Sequence, residues 1–310
     1  MTSVKNIISN VEKQIFLNDD TGHAKMQVYQ VFPGVELVYN SIHMGQCKLG
    51  NPKDGTFVEI RYCKEGRIEC DFEDEYYYLT AGDLSVSIRN NPPDELDFPT
   101  KHYHGITIGI HVETAPKCFS CFLEDVKVDP LNVAKRLCKD THFFVFKGKK
   151  YVKNIFAGLW ERDFPEHLEI GYFKIKVLEL LYVLSKIEPE RNISSNIVIS
   201  QAQMTLAKTV SEYLTSNVSE KISVTELADK FHVSQKHLQH AFKGVYGMSV
   251  YIYMRNLKMK EAARKILKTN LSITEIATYY GYDNPSKFSV AFQKVMGETP
   301  LNYRKANKNS

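Results

Sequence analysis

The chain has 310 residues, 43% of them hydrophobic, with 40 Lys and Arg against 36 Asp and Glu for a formal net charge of +4. That is enough for two domains with a core each. No stretch of 18 apolar residues occurs and Met1 to Asn10 lacks an apolar signal core, which argues against membrane insertion and secretion; six scattered Cys then read as reduced thiols of a bacterial-type cytoplasmic protein.

From about Lys25 to Val112 the pattern predicts strands. Val35 to Ile42, Phe57 to Cys63, Arg67 to Phe72, Tyr76 to Leu79, Leu84 to Ile88 and Gly105 to Val112 are rich in Val, Ile, Tyr and Phe. Turn-prone groups at Asn51 to Gly55, Lys64 to Gly66, Ala81 to Asp83 and Asn90 to Asp94 separate them. Such spacing predicts a sandwich or small barrel.

Within this region His102 and His104 are two apart, so on a strand both point to one face, with His111 further along. No Asp or Glu lies between His104 and Glu113, which leaves a His-x-His metal site short of ligands. No metal is therefore expected, and the histidines read as pocket-lining or as ordinary hydrogen-bonded residues. Tyr76, Tyr77 and Tyr78 place at least one ring on each side of a strand, and Phe98 and Tyr103 lie near the histidines in sequence. These aromatics either line an apolar pocket or pack a core. Cys118 and Cys121 form a lone Cys-x-x-Cys pair without the second pair of a four-ligand zinc site. No nucleophile elbow, phosphate loop or paired carboxylates stand out, so no catalytic residue and no cofactor are expected.

Pro130 to Cys138 and Lys150 to Arg162 have helical spacing. Leu168 to Ile187 is apolar on several faces, with Val177, Leu178, Leu180, Leu181, Val183 and Leu184 after Tyr172, Phe173 and Ile175. Such a helix is buried either against the β domain or against a second copy of itself. Polar residues after Pro189 make a linker at 189–199 between a domain at 1–188 and another at 200–310.

The last hundred residues contain one pattern twice. Ser223, Thr225, Glu226, Leu227 and Ala228 lead through His232 and Val233 to Ser234, Leu238, Phe242 and Gly247. Ser272, Thr274, Glu275, Ile276 and Ala277 lead through Gly281 and Tyr282 to Ser286, Phe288, Phe292 and Gly297. Ser and Glu three apart form a capping box, and Ser234 and Ser286 stand where second-helix caps belong. Apolar residues four apart share one face and turn the intervening side chains outward. Each copy, at about 223–247 and 272–297, thus predicts a helix-turn-helix. Between them Val250 to Lys268 has neither Gly nor Pro and predicts a helix of about 28 Å at roughly 1.5 Å per residue.

This segment resembles the DNA-binding domain of the AraC/XylS transcriptional regulators. The match runs through both copies, through Lys258, Met259, Ala262, Ile266 and Leu267, and on to Thr299, Pro300, Tyr303 and Arg304. The resemblance implies that Lys236, Gln239, His240 and Lys243 of the first copy and Ser286, Lys287, Ser289 and Val290 of the second face double-stranded DNA. His240 and Val290 depart from the Arg many relatives carry, and Lys258 replaces another Arg with a single-point charge. Gly66, Tyr78, Leu79, Gly82 and Asp83 resemble the cupin-like ligand-sensing domain attached to many such regulators. The fold implied is α+β in two domains: a β-sandwich or cupin-like barrel with following helices, then an all-α domain of two helix-turn-helix units. The function implied is an activator controlled by a small-molecule effector near Tyr78, His102 and His104, acting as a homodimer with RNA polymerase. The competing readings are a cupin-type metal-binding enzyme with an attached DNA-binding domain, and a redox sensor built on Cys118 and Cys121. Charge accords with DNA: residues 200–310 hold 16 Lys and Arg against 8 Asp and Glu, and residues 1–199 hold 24 against 28.

Overall fold

The computed structural model describes residues 3–8, 12–48, 54–72, 75–90, 93, 95–117, 119, 128–139, 141–162, 165–189 and 198–307. Cys118, Cys121 and most of the expected linker lie outside the described residues. The chain divides after Val198 into two compact units.

The N-terminal unit is built on β1 (Ser3–Ile8), β2 (Glu12–Asp19), β3 (Gly22–Phe32), β4 (Val35–His43), β5 (Gln46–Lys48), β6 (Thr56–Phe72), β7 (Glu75–Thr80), β8 (Asp83–Asn90), β9 (Glu95–Asp97) and β10 (Tyr103–His111). The antiparallel order β1-β2-β3-β4-β10-β6 carries β8 on the first half of β6 and β7 on its second half, while β5 and β9 pair separately. Among the described residues the sheet does not close into a barrel, so the observed class is α+β with a sheet-rich N-terminal unit.

The runs Phe57 to Cys63 and Arg67 to Phe72, expected as two strands around a turn at Lys64 to Gly66, form one strand, β6. Gly66 takes φ +78° and the pairing with β10 slips between His104 and Gly105, so a bulge bends the strand instead of reversing it. The Arg67 amide donates to the His102 carbonyl at 3.0 Å across that bend, which no residue with a Cβ at position 66 would permit. Strands also begin earlier than Lys25, at β1 and β2.

Three helices follow: α1 (Pro130–Cys138), α2 (Lys150–Glu161) and α3 (Glu169–Lys186), with β11 (Phe143–Lys147) between the first two and paired to β8. The helices cover one face of the sheet in a shared core that includes Leu37, Ile60, Ile106, Ile108, Phe156 and Phe173. A second core, with Met26, Ile42, Tyr77, Phe98 and Tyr103, is enclosed by the strands themselves. On α3 only Phe173, Val177, Leu180, Leu181 and Leu184 are buried, one stripe spaced by three and four, and all five join the first core. The apolar excess on its other side, Ile175 and Tyr182, is exposed, as is Leu168 just before the helix.

The C-terminal unit comprises α4 (Gln201–Ser216), α5 (Val224–Lys230), α6 (Gln235–Tyr246), α7 (Val250–Lys268), α8 (Ile273–Tyr279), α9 (Pro285–Met296) and α10 (Pro300–Asn307). Helix α4, which opens on a capping box of Ser200 and Gln203, packs on α6. Met259, Ala262 and Ile266 of α7 meet Ile276 and Ala277 of α8 and Phe288 and Phe292 of α9 in a common core.

Candidate nucleic-acid interface

Each helix-turn-helix begins with the expected capping box. The Ser223 amide donates to Glu226 Oε2 at 2.7 Å and the Glu226 amide to Ser223 Oγ at 3.2 Å; Ser272 and Glu275 repeat this at 2.7 and 3.1 Å. These bonds hold both carboxyls below the usual range for Glu. The turn then closes by matching bonds, Val233 amide to Ala228 carbonyl and Tyr282 amide to Ala277 carbonyl, both at 3.0 Å.

After the turn the copies part by one residue, and the cap of α9 is Asn284, not Ser286. Its Oδ1 accepts from the Ser286 and Lys287 amides, with Pro285 in the first turn, whereas Ser234 Oγ accepts from the His237 amide in α6. The inserted residue is Asp283, which sits 3.4 Å from the Lys221 ammonium. Ser286 therefore lies inside the helix and corresponds to Lys236, and Lys287 corresponds to His237. A cap rule that accepts Ser and Asn alike does not separate Ser286 from Asn284.

Leu238, Ala241, Phe242 and Val245 bury one face of α6, and Phe288 and Phe292 bury one face of α9. Opposite them Lys236, His237, His240 and Lys243 are exposed on α6, and Ser286, Lys287, Val290 and Lys294 on α9. Val290 is 68% exposed. Gln239 and Ser289 are half-buried. Gln239 Oε1 accepts the Val250 amide at 3.4 Å, so this side chain also steadies the start of α7. Sequence reasoning missed Tyr251 and Arg255 of α7. With Tyr282, Lys287, Val290 and Lys294 they line an open depression of about 520 Å³, and only the fold brings the N-terminal end of α7 beside α9. The arrangement offers cations for phosphate, aromatic rings and a methyl-bearing side chain on one surface.

The residues expected near an effector separate. Tyr78 is buried on β7 with its hydroxyl donating to Glu69 Oε2 at 2.7 Å. His102 and His104 stand at the start of β10, partly exposed, with His43 of β4 against both. Nothing in the sequence pairs His43 with histidines 59 and 61 residues away, because antiparallel register alone brings them together. Burial, and then neighbouring imidazoles, hold His43 and His104 below the usual histidine range.

A duplicated helix-turn-helix with outward cations defines a DNA-binding protein. The helix-turn-helix domain family matches residues 227–306. The bifunctional transcriptional activator/DNA repair enzyme AdaA of Bacillus subtilis is 31% identical over 99 residues, covering 32% of this chain and 47% of that one. PqrA of Proteus vulgaris, described as a probable transcription factor, is 33% identical over 86 residues, 28% of this chain and 70% of that one. The C-terminal domain of AraT, a response regulator from Geobacillus stearothermophilus, is 31% identical over 34% of this chain and 88% of that one, with a TM-score of 0.33. The chain thus spans under half the length of AdaA. It belongs to the AraC/XylS family of DNA-binding transcriptional regulators. Among the described residues no helix is long and apolar enough to cross a membrane.

Proposed function

We propose that this protein is a sequence-specific transcriptional activator that reads double-stranded DNA with both helix-turn-helix units and is controlled by a small molecule bound in its N-terminal unit. The observation that carries the reading is the pair of similarly framed helices, α6 and α9, each with a buried apolar face and an exposed face bearing cations. Lys236, Gln239, His240 and Lys243 meet one major-groove segment, and Ser286, Lys287, Ser289 and Val290 the next. Helix α7 holds 19 residues, about 28 Å of rise, which suits the roughly 34 Å between successive groove segments on one DNA face. Val290 suits a thymine methyl, and the lysines suit phosphate or guanine.

The chain acts as a homodimer through α3, whose exposed Ile175 and Tyr182 continue, at seven-residue spacing, a line that starts at the exposed Leu168 just ahead of the helix. Activation, the role printed in the name of AdaA, implies contact with RNA polymerase. The effector reaches the unit near His102 and His104, and Tyr78 responds through its bond to Glu69. Control requires that the effector bind the DNA-competent arrangement more tightly than the other.

Genome-wide recovery of DNA bound by the full-length protein, with footprinting at physiological salt, tests this. The expected result is discrete sites upstream of an operon, each protected over about two helical turns per chain. Lys236→Ala or Gln239→Ala should relax base preference at one position by about 1–3 kcal/mol. Diffuse binding that modest salt abolishes, or equal losses on every sequence, would refute base reading.

A further inference from the structure

We propose that His43, His102 and His104 form a binding site for a divalent transition-metal ion, with Glu65 as the carboxylate that orients two of the rings.

The three imidazoles come from two neighbouring strands and the turn before one of them. In the β4–β10 pairing His104 stands opposite Ser41 and Tyr103 opposite Ile42, so one step outward places His102 beside His43. Alternation puts His43, His102 and His104 on one face. Across β10 on its other side, Glu65 of β6 stands opposite His104 and shares that face.

The ring nitrogens divide into an inner and an outer set. His102 Nδ1 lies 3.4 Å from His43 Nδ1, and His104 Nε2 lies 3.2 Å from His43 Nε2. One nitrogen from each of the three rings falls within 4.8 Å of the other two. A tetrahedral ion with nitrogen at about 2.0–2.1 Å holds its ligands about 3.3–3.4 Å apart. The two short contacts use different nitrogens of His43, so an ion takes one of them and the partly exposed rings rotate to close the remaining separation. The outer nitrogens, His102 Nε2 and His104 Nδ1, face Glu65 Oε2 at 3.6 and 3.8 Å. A carboxylate behind a ligating imidazole fixes its tautomer and strengthens it as a donor.

Three neutral nitrogens with a carboxylate behind them select borderline ions such as zinc, cobalt(II) or nickel(II) over calcium or magnesium. Three ligands leave a fourth position open for water or a further donor. The His102 and His104 side chains are 39% and 22% exposed, so an ion can enter from solvent. The nearby Lys64 ammonium is held 3.9 Å from the Trp160 ring centroid.

The test is titration of untagged full-length protein with cobalt(II) and zinc chloride, read by calorimetry and by the visible spectrum of bound cobalt. The expected result is one ion per chain. His104→Ala should weaken binding by about 100-fold or more, and Glu65→Gln by about 10- to 100-fold. His111→Gln, outside the cluster, should leave it unchanged. If His104→Ala does not fold, His102→Gln, at a ligand more exposed than His104, reads the same loss. Absence of saturable uptake, or equal uptake after loss of His102 or His104, would overturn the site and leave a hydrogen-bonded imidazole row. The assay needs no DNA, so its failure is independent of the DNA-reading proposal.

Discussion

In the unit of α5 and α6 the turn residue is His232 at φ +54° and the second helix is capped by Ser234; in the unit of α8 and α9 these are Gly281 at φ +79° and Asn284. The closing bonds of the turn agree within about 0.3 Å, and both capping boxes are complete. What differs lies outward and in the choice of core ring. Helix α6 shows Lys236, His237 and His240 where α9 shows Ser286, Lys287 and Val290, and Leu238 inside α6 stands where α9 has Phe288. Duplication kept the groups that close backbone bonds and fill the interior, and let the exposed face vary. The two units are one scaffold carrying two surfaces.

The largest effect should come from the ring each unit places at its centre. Phe242 and Phe292 are both fully buried. Phe242 stacks on Tyr246 at 4.5 Å and meets Tyr253 edge-on, whereas Phe292 meets Phe288 and, at 5.5 Å, Tyr303 of α10. Phe242→Ala and Phe292→Ala should each cost about 3–5 kcal/mol, measured by urea denaturation. Hydrogen exchange on the two variants sharpens the comparison. Loss of protection confined to the mutated unit would make the halves separate folding bodies, and loss in both would make them one.

A smaller effect joins the halves. The Lys258 ammonium, in the connecting helix α7, donates to the Glu220 carbonyl ahead of the first unit at 2.8 Å and to the Tyr280 carbonyl in the second turn at 3.0 Å. Burial, then the charge of Lys221, holds its pKa below the usual value for Lys. Lys258→Met removes both bonds and should cost about 1–3 kcal/mol, with the exposed Glu220 carbonyl recovering water and the Tyr280 carbonyl less so. Lys258→Arg should retain most of the stability. Equal loss in the two variants would show that stem packing, not the bonds, is what Lys258 supplies.

The same contrast explains what could be read before any fold was known. Helix bounds such as Pro130–Cys138 and Val250–Lys268 follow from local spacing and caps, and the structure repeats them. Ser286 misled because the choice between two cap residues two positions apart depends on the extra residue Asp283, which local rules do not count. In the β unit the errors are of longer range. Lys64 to Gly66 has turn composition, yet tertiary pairing with β10 turns it into a bulge. The run Phe143–Lys147 stands between two helices, outside the region read as strands, and becomes a strand through β8. His43 has no local signal, since its neighbours are set by strand register.

The smallest effect concerns the turn itself. A left-handed residue with a Cβ costs roughly 1–2 kcal/mol relative to Gly, and His tolerates that region better than branched residues do. Glycine in turn loosens the unfolded chain by about 0.4–1 kcal/mol. A Cβ at Gly281 would approach only Lys258 Nζ at 3.6 Å and Lys221 Cβ at 3.8 Å, ordinary contacts, so conformation alone sets the outcome there. Gly281→His should therefore destabilise by about 1 kcal/mol, and His232→Gly should gain no more than that, with the two opposed entropy and strain effects nearly offsetting. Thermal or urea midpoints of the two single variants and the exchanged pair decide it. A gain from Gly281→His would mean that the second turn relaxes out of the left-handed region, and that the two turns differ in more than their residue.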